Sequence, residues 1–247
     1  MYKKFFSIIL TVVISVGCLT FSAGAKAINV SAPKLKSVTA IDTTTFKVKW
    51  SKVSGASGYI LYCQKSGSSF KKIKTFGKNT TSYTHKKLAN GKKYFYKVKA
   101  YTKTTGKYLY SRYSNMMGLK CTNNLVDLYK PYYMYDEVQL GNFAMGGNTY
   151  NGFYLPWWDN YIIYNLQGKY RYISFTYGLT DNTSPDREST LQIYSDDSCV
   201  ATFNCKSGDL PKYAKVNIEN AVKLEFRKTC VNSQNTRLGV GNIKLYK

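Results

Sequence analysis

Apolar and charged residues alternate strictly at several places along the chain. Phe46, Val48 and Trp50 are separated by Lys47 and Lys49, and Tyr94, Tyr96, Val98 and Ala100 by Phe95, Lys97 and Lys99. A period of two puts one set on a buried face and the other in water, so each stretch predicts a half-buried β-strand. Between them, the turn-rich Ser51–Gly58 leads into Tyr59-Ile60-Leu61-Tyr62, and Leu88-Ala89-Asn90-Gly91 is a tight turn feeding the strand at Tyr94. Further on, Tyr170–Phe175, Thr190–Tyr194, Val200–Phe203, Lys215–Ile218, Val222–Phe226 and Val240–Tyr246 read as short strands. Ser195-Asp196-Asp197-Ser198 has the composition of a hairpin turn. No segment carries a helical period, so the chain is predicted all-β, with two sandwiches in series.

Charge divides the same chain in two. Residues 28–121 hold 19 lysines and Arg112 against the single acid Asp42, whereas residues 122–247 hold 13 basic and 12 acidic residues. The composition changes near Cys121–Asn124, which predicts a domain boundary there. Lysines at alternating strand positions fall on both sheets of the first domain. They predict a diffuse cationic coat, without a groove of ordered aromatic rings, that attracts anionic cell-wall polymers or other polyanions by long-range fields. Specific nucleic-acid binding is not expected.

In the first domain, Trp50, Tyr59, Leu88 and Tyr94 follow one another at the spacing of the fibronectin type III fold. There a tryptophan marks one strand, a tyrosine leads the next, and a leucine six residues before a later tyrosine forms the tyrosine corner. The resemblance spans about residues 32–121 and implies a seven-stranded sandwich, a common spacer in secreted bacterial proteins. In the second domain, residues 124–247, the ordered words are Gly146-Gly147-Asn148-Thr149-Tyr150 with Gly152, Tyr164-Asn165-Leu166, Gly168-Lys169-Tyr170, Val216-Asn217-Ile218 and Gly241-Asn242-Ile243. Their order resembles the NPCBM family of novel carbohydrate-binding modules, which implies a galactose-binding-like jelly roll and a sugar ligand. Family members usually carry a histidine shortly after the glycine matched by Gly152 and a tryptophan just before the last strand. This chain has Tyr154-Leu155 and Gly239-Val240 at those places.

The N-terminus reads as an export signal. Lys3-Lys4 precede an apolar run from Phe5 to Phe21, and small residues ending in Ala23-Gly24-Ala25 and Ala25-Lys26-Ala27 offer two cleavage sites, giving a signal peptide of residues 1–27. Cys18 leaves a lipid anchor as a lesser alternative. No later apolar run approaches the roughly 20 residues that cross a bilayer, so the mature chain is expected outside the cell or at its surface. Cys63, Cys121, Cys199, Cys205 and Cys230 follow the signal, an odd set without zinc-type spacing. Cys199 and Cys205 on one strand are too far apart to bridge, and mostly reduced, packed thiols are expected, with Cys63 in the core beside Tyr59 and Leu61.

The candidate site is Asn142–Tyr170, rich in glycine and tyrosine around the adjacent Trp157 and Trp158. In an extended segment one ring would face the core and the other outward. Pro156 and Asp159-Asn160 argue instead for a loop, which can expose both rings and Trp158 most readily; the alternative is that one or both tryptophans fill the sandwich core. Flat rings beside amides and carboxylates suit a sugar, whose apolar C–H face stacks while its hydroxyls are taken up by polar groups. The candidate ligand-binding residues are therefore Trp157, Trp158, Tyr154, Asp159 and Asn160, with Tyr132, Tyr133 and Tyr135 as a second exposed surface. Carboxylates at Asp136-Glu137, Asp181, Asp186, Glu188 and Asp196-Asp197 sit in turn-like stretches, and the single histidine, His85, lies in the other domain. No Ser-His-Asp, Cys-His, HExxH or phosphate-loop arrangement emerges, and no cofactor or metal is implied. Asp181 to Glu188 lacks EF-hand spacing and reads as a solvated loop. The sequence thus predicts a secreted, non-catalytic, two-domain β protein whose C-terminal module binds a glycan, as an accessory to glycoside hydrolases. A protein-interaction or structural role is the alternative.

Overall fold

The computed structural model describes residues 30–230 and 236–247. The export signal expected over residues 1–27 lies outside them. The chain forms two β-sandwiches, each closed around its own hydrophobic cluster.

The first sandwich faces a three-stranded sheet, β1 (Leu35–Asp42), β2 (Thr45–Trp50) and β5 (Ser82–His85), against a larger one. The larger sheet runs β4 (Lys71–Gly77), β3 (Gly58–Lys65), β6 (Lys93–Thr104) and β7 (Lys107–Tyr110), with β8 (Met117–Lys120) also paired to β6. The alternation read from sequence is realised residue by residue. Phe46, Val48 and Trp50 are buried from one sheet, and Tyr59, Leu61, Cys63, Tyr96, Val98 and Ala100 from the other. Trp50 meets the edge of Tyr59 at 5.9 Å between ring centroids, and the Tyr59 hydroxyl accepts the Val53 N–H at 2.8 Å. Leu88 is buried, and the Tyr94 hydroxyl accepts the Ala89 N–H at 2.9 Å, closing the corner that the resemblance to the fibronectin type III fold implied. Each large ring buried this way contributes roughly 1.5–3 kcal/mol of hydrophobic stabilisation before entropy is counted.

Asn124 caps a single helical turn, α1 (Leu125–Leu128), through its side-chain oxygen. One turn is too short to show a period, so the sequence pattern did not announce it. The second sandwich is a jelly roll of two five-stranded sheets. One is ordered β10 (Gln139–Met145), β11 (Asn148–Leu155), β18 (Leu238–Tyr246), β13 (Tyr172–Leu179) and β16 (Lys212–Asn217). The other is ordered β15 (Ser198–Lys206), β14 (Glu188–Ser195), β17 (Lys223–Cys230), β12 (Asn160–Asn165) and β9 (Tyr133–Met134). Asp196-Asp197 turn the β14–β15 hairpin as expected, with Asp196 at φ 54°. Phe153, Tyr164, Phe175 and Phe226 meet in the centre, and Phe153 touches Phe226 at 5.2 Å.

β11 and β18 leave no room for a side chain where they pair through glycines. Gly152 stands opposite Gly241, and a Cβ on Gly152 would lie 2.1 Å from the Val240 carbonyl oxygen. Between the two sandwiches, Lys247 pairs with Asp42 at 2.9 Å and the Lys169 ammonium donates to the Ile41 carbonyl at 3.1 Å. Burial opposes ionisation of Asp42, but hydrogen bonds from Lys247, Thr44 and Thr45 outweigh it and hold the carboxyl below its usual value.

Candidate functional site at the tryptophan loop

β11 delivers Phe153 and Leu155 to the core and leaves Tyr154, between them, half-buried on the outer side. Pro156 ends the strand, and the chain then turns through Trp157, Trp158 and Asp159 before β12 begins. Both tryptophans are outside: Trp157 is 40% exposed and Trp158 65%. Neither ring fills the core, so the loop reading prevails over the extended one.

The turn is unusual at its first ring. Trp157 has φ 62°, in the left-handed region that bulky residues rarely enter and that costs on the order of 1–3 kcal/mol. A buried lysine holds it there. Lys228 on β17 shares the inward face with Leu224 and Phe226 and is fully buried. Its ammonium donates to the Trp157 carbonyl at 2.6 Å and to the Thr236 carbonyl at 2.8 Å. Burial pushes the Lys228 pKa below its ordinary value, although nearby Cys230 and Asp159 work the other way. The Cys230 thiol also reaches the Trp157 carbonyl at 3.2 Å, and Asp159 accepts the Cys230 N–H at 2.7 Å. The loop is thus tied to β17 on both sides of Trp158.

Asn160 departs from expectation. It is only 4% exposed, and its amide nitrogen donates to the Pro156 carbonyl. β12 begins at Asn160, which therefore takes the inward alternation of Ile162 and Tyr164 and closes the loop from within. It cannot meet a ligand at the surface. Asp159 remains exposed, with one carboxylate oxygen committed to β17.

Beside Trp157 lies an open cleft of about 370 Å³, lined by Asp136, Glu137, Gln139, Tyr154, Pro156, Trp157 and Arg237. The Arg237 guanidinium stands 5.4 Å from the Trp157 ring centroid, at cation–π distance. Of the residues expected from sequence, the cleft gathers Tyr154 and Trp157, while Trp158 stands outside its lining. Gln139 and Arg237 had no sequence signal. Gln139 pairs with Tyr154 across β10–β11, and Arg237 arrives only because β18 returns beside β11, with Tyr154 opposite Gly239.

Several of the other acidic positions are engaged elsewhere. Asp181 accepts the Gly146 and Gly147 N–H groups at 2.6 and 3.1 Å, and Glu188 pairs with Lys206 at 2.7 Å. Among the described residues no group of three or more His, Cys, Asp or Glu side chains converges to hold a metal. The thiols are free. Cys63, Cys121 and Cys205 are packed, Cys230 is half-buried, and Cys199 is exposed, so the expectation of packed thiols holds for three of the five. No helix among the described residues is long and apolar enough to cross a membrane.

Residues 31–116 match the fibronectin type III domain family. No curated protein matches the chain. In solved structures the chain is similar to the CBM51-2 and INT domains from Clostridium perfringens ZmpB, at 9% identity over 62% of this chain and TM-score 0.42. It spans 37% of that chain. It is also similar to the CBM51 from Clostridium perfringens GH95 in complex with methyl-galactose, at 18% identity, covering 49% of this chain and 97% of that one, with TM-score 0.40. A fibronectin type-III domain of human fibronectin type III domain containing protein 3 is similar at 28% identity over 40% of this chain and 93% of its own, with TM-score 0.31.

Proposed function

We propose that the C-terminal sandwich, residues 124–247, is a non-catalytic glycan-binding module of the NPCBM kind, and that the cleft beside Trp157 is its sugar site. The observation that carries this reading is the exposed Trp157 ring, on a backbone whose carbonyl Lys228 holds, set against a cleft of carboxylate, amide and guanidinium groups. A pyranose laid on Trp157 or Tyr154 puts its C–H face on a flat ring. Asp136 and Glu137 accept from its hydroxyls, and Gln139 and Arg237 donate to them. Trp158 and Asp159 lie outside the cleft lining but are exposed on the same loop, and are available to a longer chain. The cleft is open and shallow, which suits the end or side of a polymer better than an enclosed small molecule.

The fibronectin type III module, residues 32–121, is on this reading a spacer that also anchors the protein to an anionic surface through its lysines. The whole acts outside the cell, exported by the signal over residues 1–27, and serves enzymes that cleave the same polymer. A glycan array tests the sugar site: a saturable hit, displaced by unlabelled sugar and lost in Trp157→Ala, is expected.

One observation favours a second reading. Tyr132, Tyr133, Met134 and Tyr135 are all exposed, and Tyr133 stacks on Tyr161 at 5.4 Å. Rigid tyrosines of this kind also make protein-binding surfaces. An array without hits, together with capture of one defined protein that Tyr132→Ala abolishes, would favour it.

A further inference from the structure

The basic domain is not evenly coated. On β6, the side chains that leave the core are Lys93, Phe95, Lys97, Lys99, Tyr101 and Lys103, a row in which lysines are interrupted by rings. The neighbouring strands continue the pattern in register. Tyr62 stands between Lys72 and Lys97, Ile60 between Thr75 and Lys99, Tyr110 opposite Tyr101, and Tyr108 opposite Lys103. The expectation of a coat without ordered rings therefore fails on this sheet. Side chains of β3, β4, β6 and β7 build one face of alternating ammonium groups and aromatic rings.

Part of that face is shaped. A hollow of about 220 Å³ is lined by Ile60, Lys72, Thr75, Tyr101, Tyr108 and Tyr110. Tyr108 and Tyr110 are 53% and 55% exposed, and their rings lie within 17° of parallel at 6.3 Å. Tyr101 completes a trio, 5.8 Å from Tyr108 and 6.5 Å from Tyr110. It lies across Gly58, where a Cβ would come within 2.5 Å of its hydroxyl oxygen, so the glycine lets the ring settle onto the strand. At the neighbouring end, the Lys97 and Lys99 ammonium groups sit 3.8 and 4.1 Å from the Tyr113 ring centroid. Asp42 is the sole acid in residues 28–121, and Lys247 already holds it. Nothing in the domain's own sequence neutralises this face.

We propose that this face is a second glycan site, built for an acidic polysaccharide. Sugar rings lie on Tyr101, Tyr108 and Tyr110 while carboxylate groups of the polymer meet Lys72, Lys99 and Lys103. The pairing of flat rings with hydroxyl edges and ammonium groups selects this partner. A polyol phosphate offers no ring to stack, and the poly(dT) arm of the test below separates a nucleic-acid strand, whose bases could use the same rings. The proposal rests on the anchoring role given above to the basic domain, and replaces a diffuse attraction with a located site.

The test uses the full mature chain and three probes: a polyuronate, polyglutamate as an anion without sugar rings, and poly(dT). Binding is read at low and at 0.5 M salt, where screening confines exposed charges to a few ångströms. Three paired variants are compared, each checked by melting. Tyr108→Ala with Tyr110→Ala removes rings, Lys72→Ala with Lys103→Ala removes charge from the face, and Lys36→Ala with Lys49→Ala removes the same charge from the opposite sheet. Polyuronate binding that survives high salt, falls about tenfold in the tyrosine pair and falls further in the face pair than in the opposite-sheet pair is the expected result. Polyglutamate binding should be indifferent to the tyrosines. Equal losses in both lysine pairs with none in the tyrosine pair would overturn the site and leave diffuse anchoring intact. Tighter binding of poly(dT) than of polyuronate would overturn the choice of partner, and no binding of any probe would overturn site and anchoring together.

Discussion

Replacing Gly152 by alanine adds one methyl group where β11 lies against the main chain of β18. The new Cβ would sit 2.1 Å from the Val240 oxygen and 2.9 Å from the Gly241 Cα, both main-chain atoms. A flexible side chain could swing away from such a contact, but a strand cannot without breaking its ladder. Overpacking a core ordinarily costs about 1–3 kcal/mol. Here the obstacle is backbone, and parting β11 from β18 also loosens ladder bonds worth about 1 kcal/mol each. The expected loss is therefore about 3–4 kcal/mol, a large part of the roughly 5–15 kcal/mol that holds a domain folded. For a domain of this size the melting temperature should fall on the order of 10 °C. Gly77→Ala is the control, since its Cβ would meet nothing within 4 Å and its φ is not in the left-handed region. Calorimetry or circular dichroism melts on both variants suffice. A Gly152→Ala protein that melts with the wild type would refute the close approach of β11 and β18, and with it the placement of Tyr154 beside Gly239.

Three further outcomes are expected. The pKa of His85 is lowered by burial, so the unfolded chain binds its proton more tightly than the folded one, and stability is lost as pH falls from the ordinary histidine value through the lowered one. Asp42 is the sole acid of residues 28–121 and its pKa is also lowered, so urea titrations of the first domain between pH 7.5 and 5 should isolate His85; a flat profile, or one unchanged in His85→Gln, would count against this assignment. Residues 124–247 expressed alone should melt cooperatively, because their cluster draws only on residues of that span and the Lys247–Asp42 pair is worth at most about 1 kcal/mol; an insoluble or non-cooperative fragment would move the boundary. Millimolar calcium should leave the melting temperature nearly unchanged, since Asp181 is already occupied by two backbone N–H groups, and a large EGTA-reversible rise would overturn this.

What could be read in the sequence was whatever obeys a short period. Phe46, Val48 and Trp50 alternate with lysine, and with Tyr59–Tyr62 and Tyr94–Ala100 they mark β2, β3 and β6, while the Leu88–Tyr94 corner follows from the resemblance to the fibronectin type III fold; β1, β4, β5, β7 and β8 carry no comparable alternation. The buried cluster of the first sandwich ends with Cys121 and that of the second begins at Leu125, on either side of the charge step. The tryptophan loop was legible as a loop from Pro156, but its anchoring was not. Asn160 looked like a surface amide because turn composition ends with it, whereas the strand alternation of Ile162 and Tyr164 already includes it. The same argument applies to Lys228, which Leu224 and Phe226 place inside; a lysine in phase with core residues was the available signal. Arg237 carried none, since only the return of the last strand beside β11 brings it to Trp157.

Titration of tryptophan fluorescence with the sugar that scores on the array, in wild type and in Trp157→Ala, tests the glycan-site reading most directly when each protein is also melted. A platform ring that is 40% exposed should be removable at a cost of about 1–2 kcal/mol, well short of a core ring, while affinity falls at least tenfold. A Trp157→Ala protein that loses about 3–5 kcal/mol of stability, as a core ring would, or that folds and binds the sugar with undiminished affinity, would contradict it.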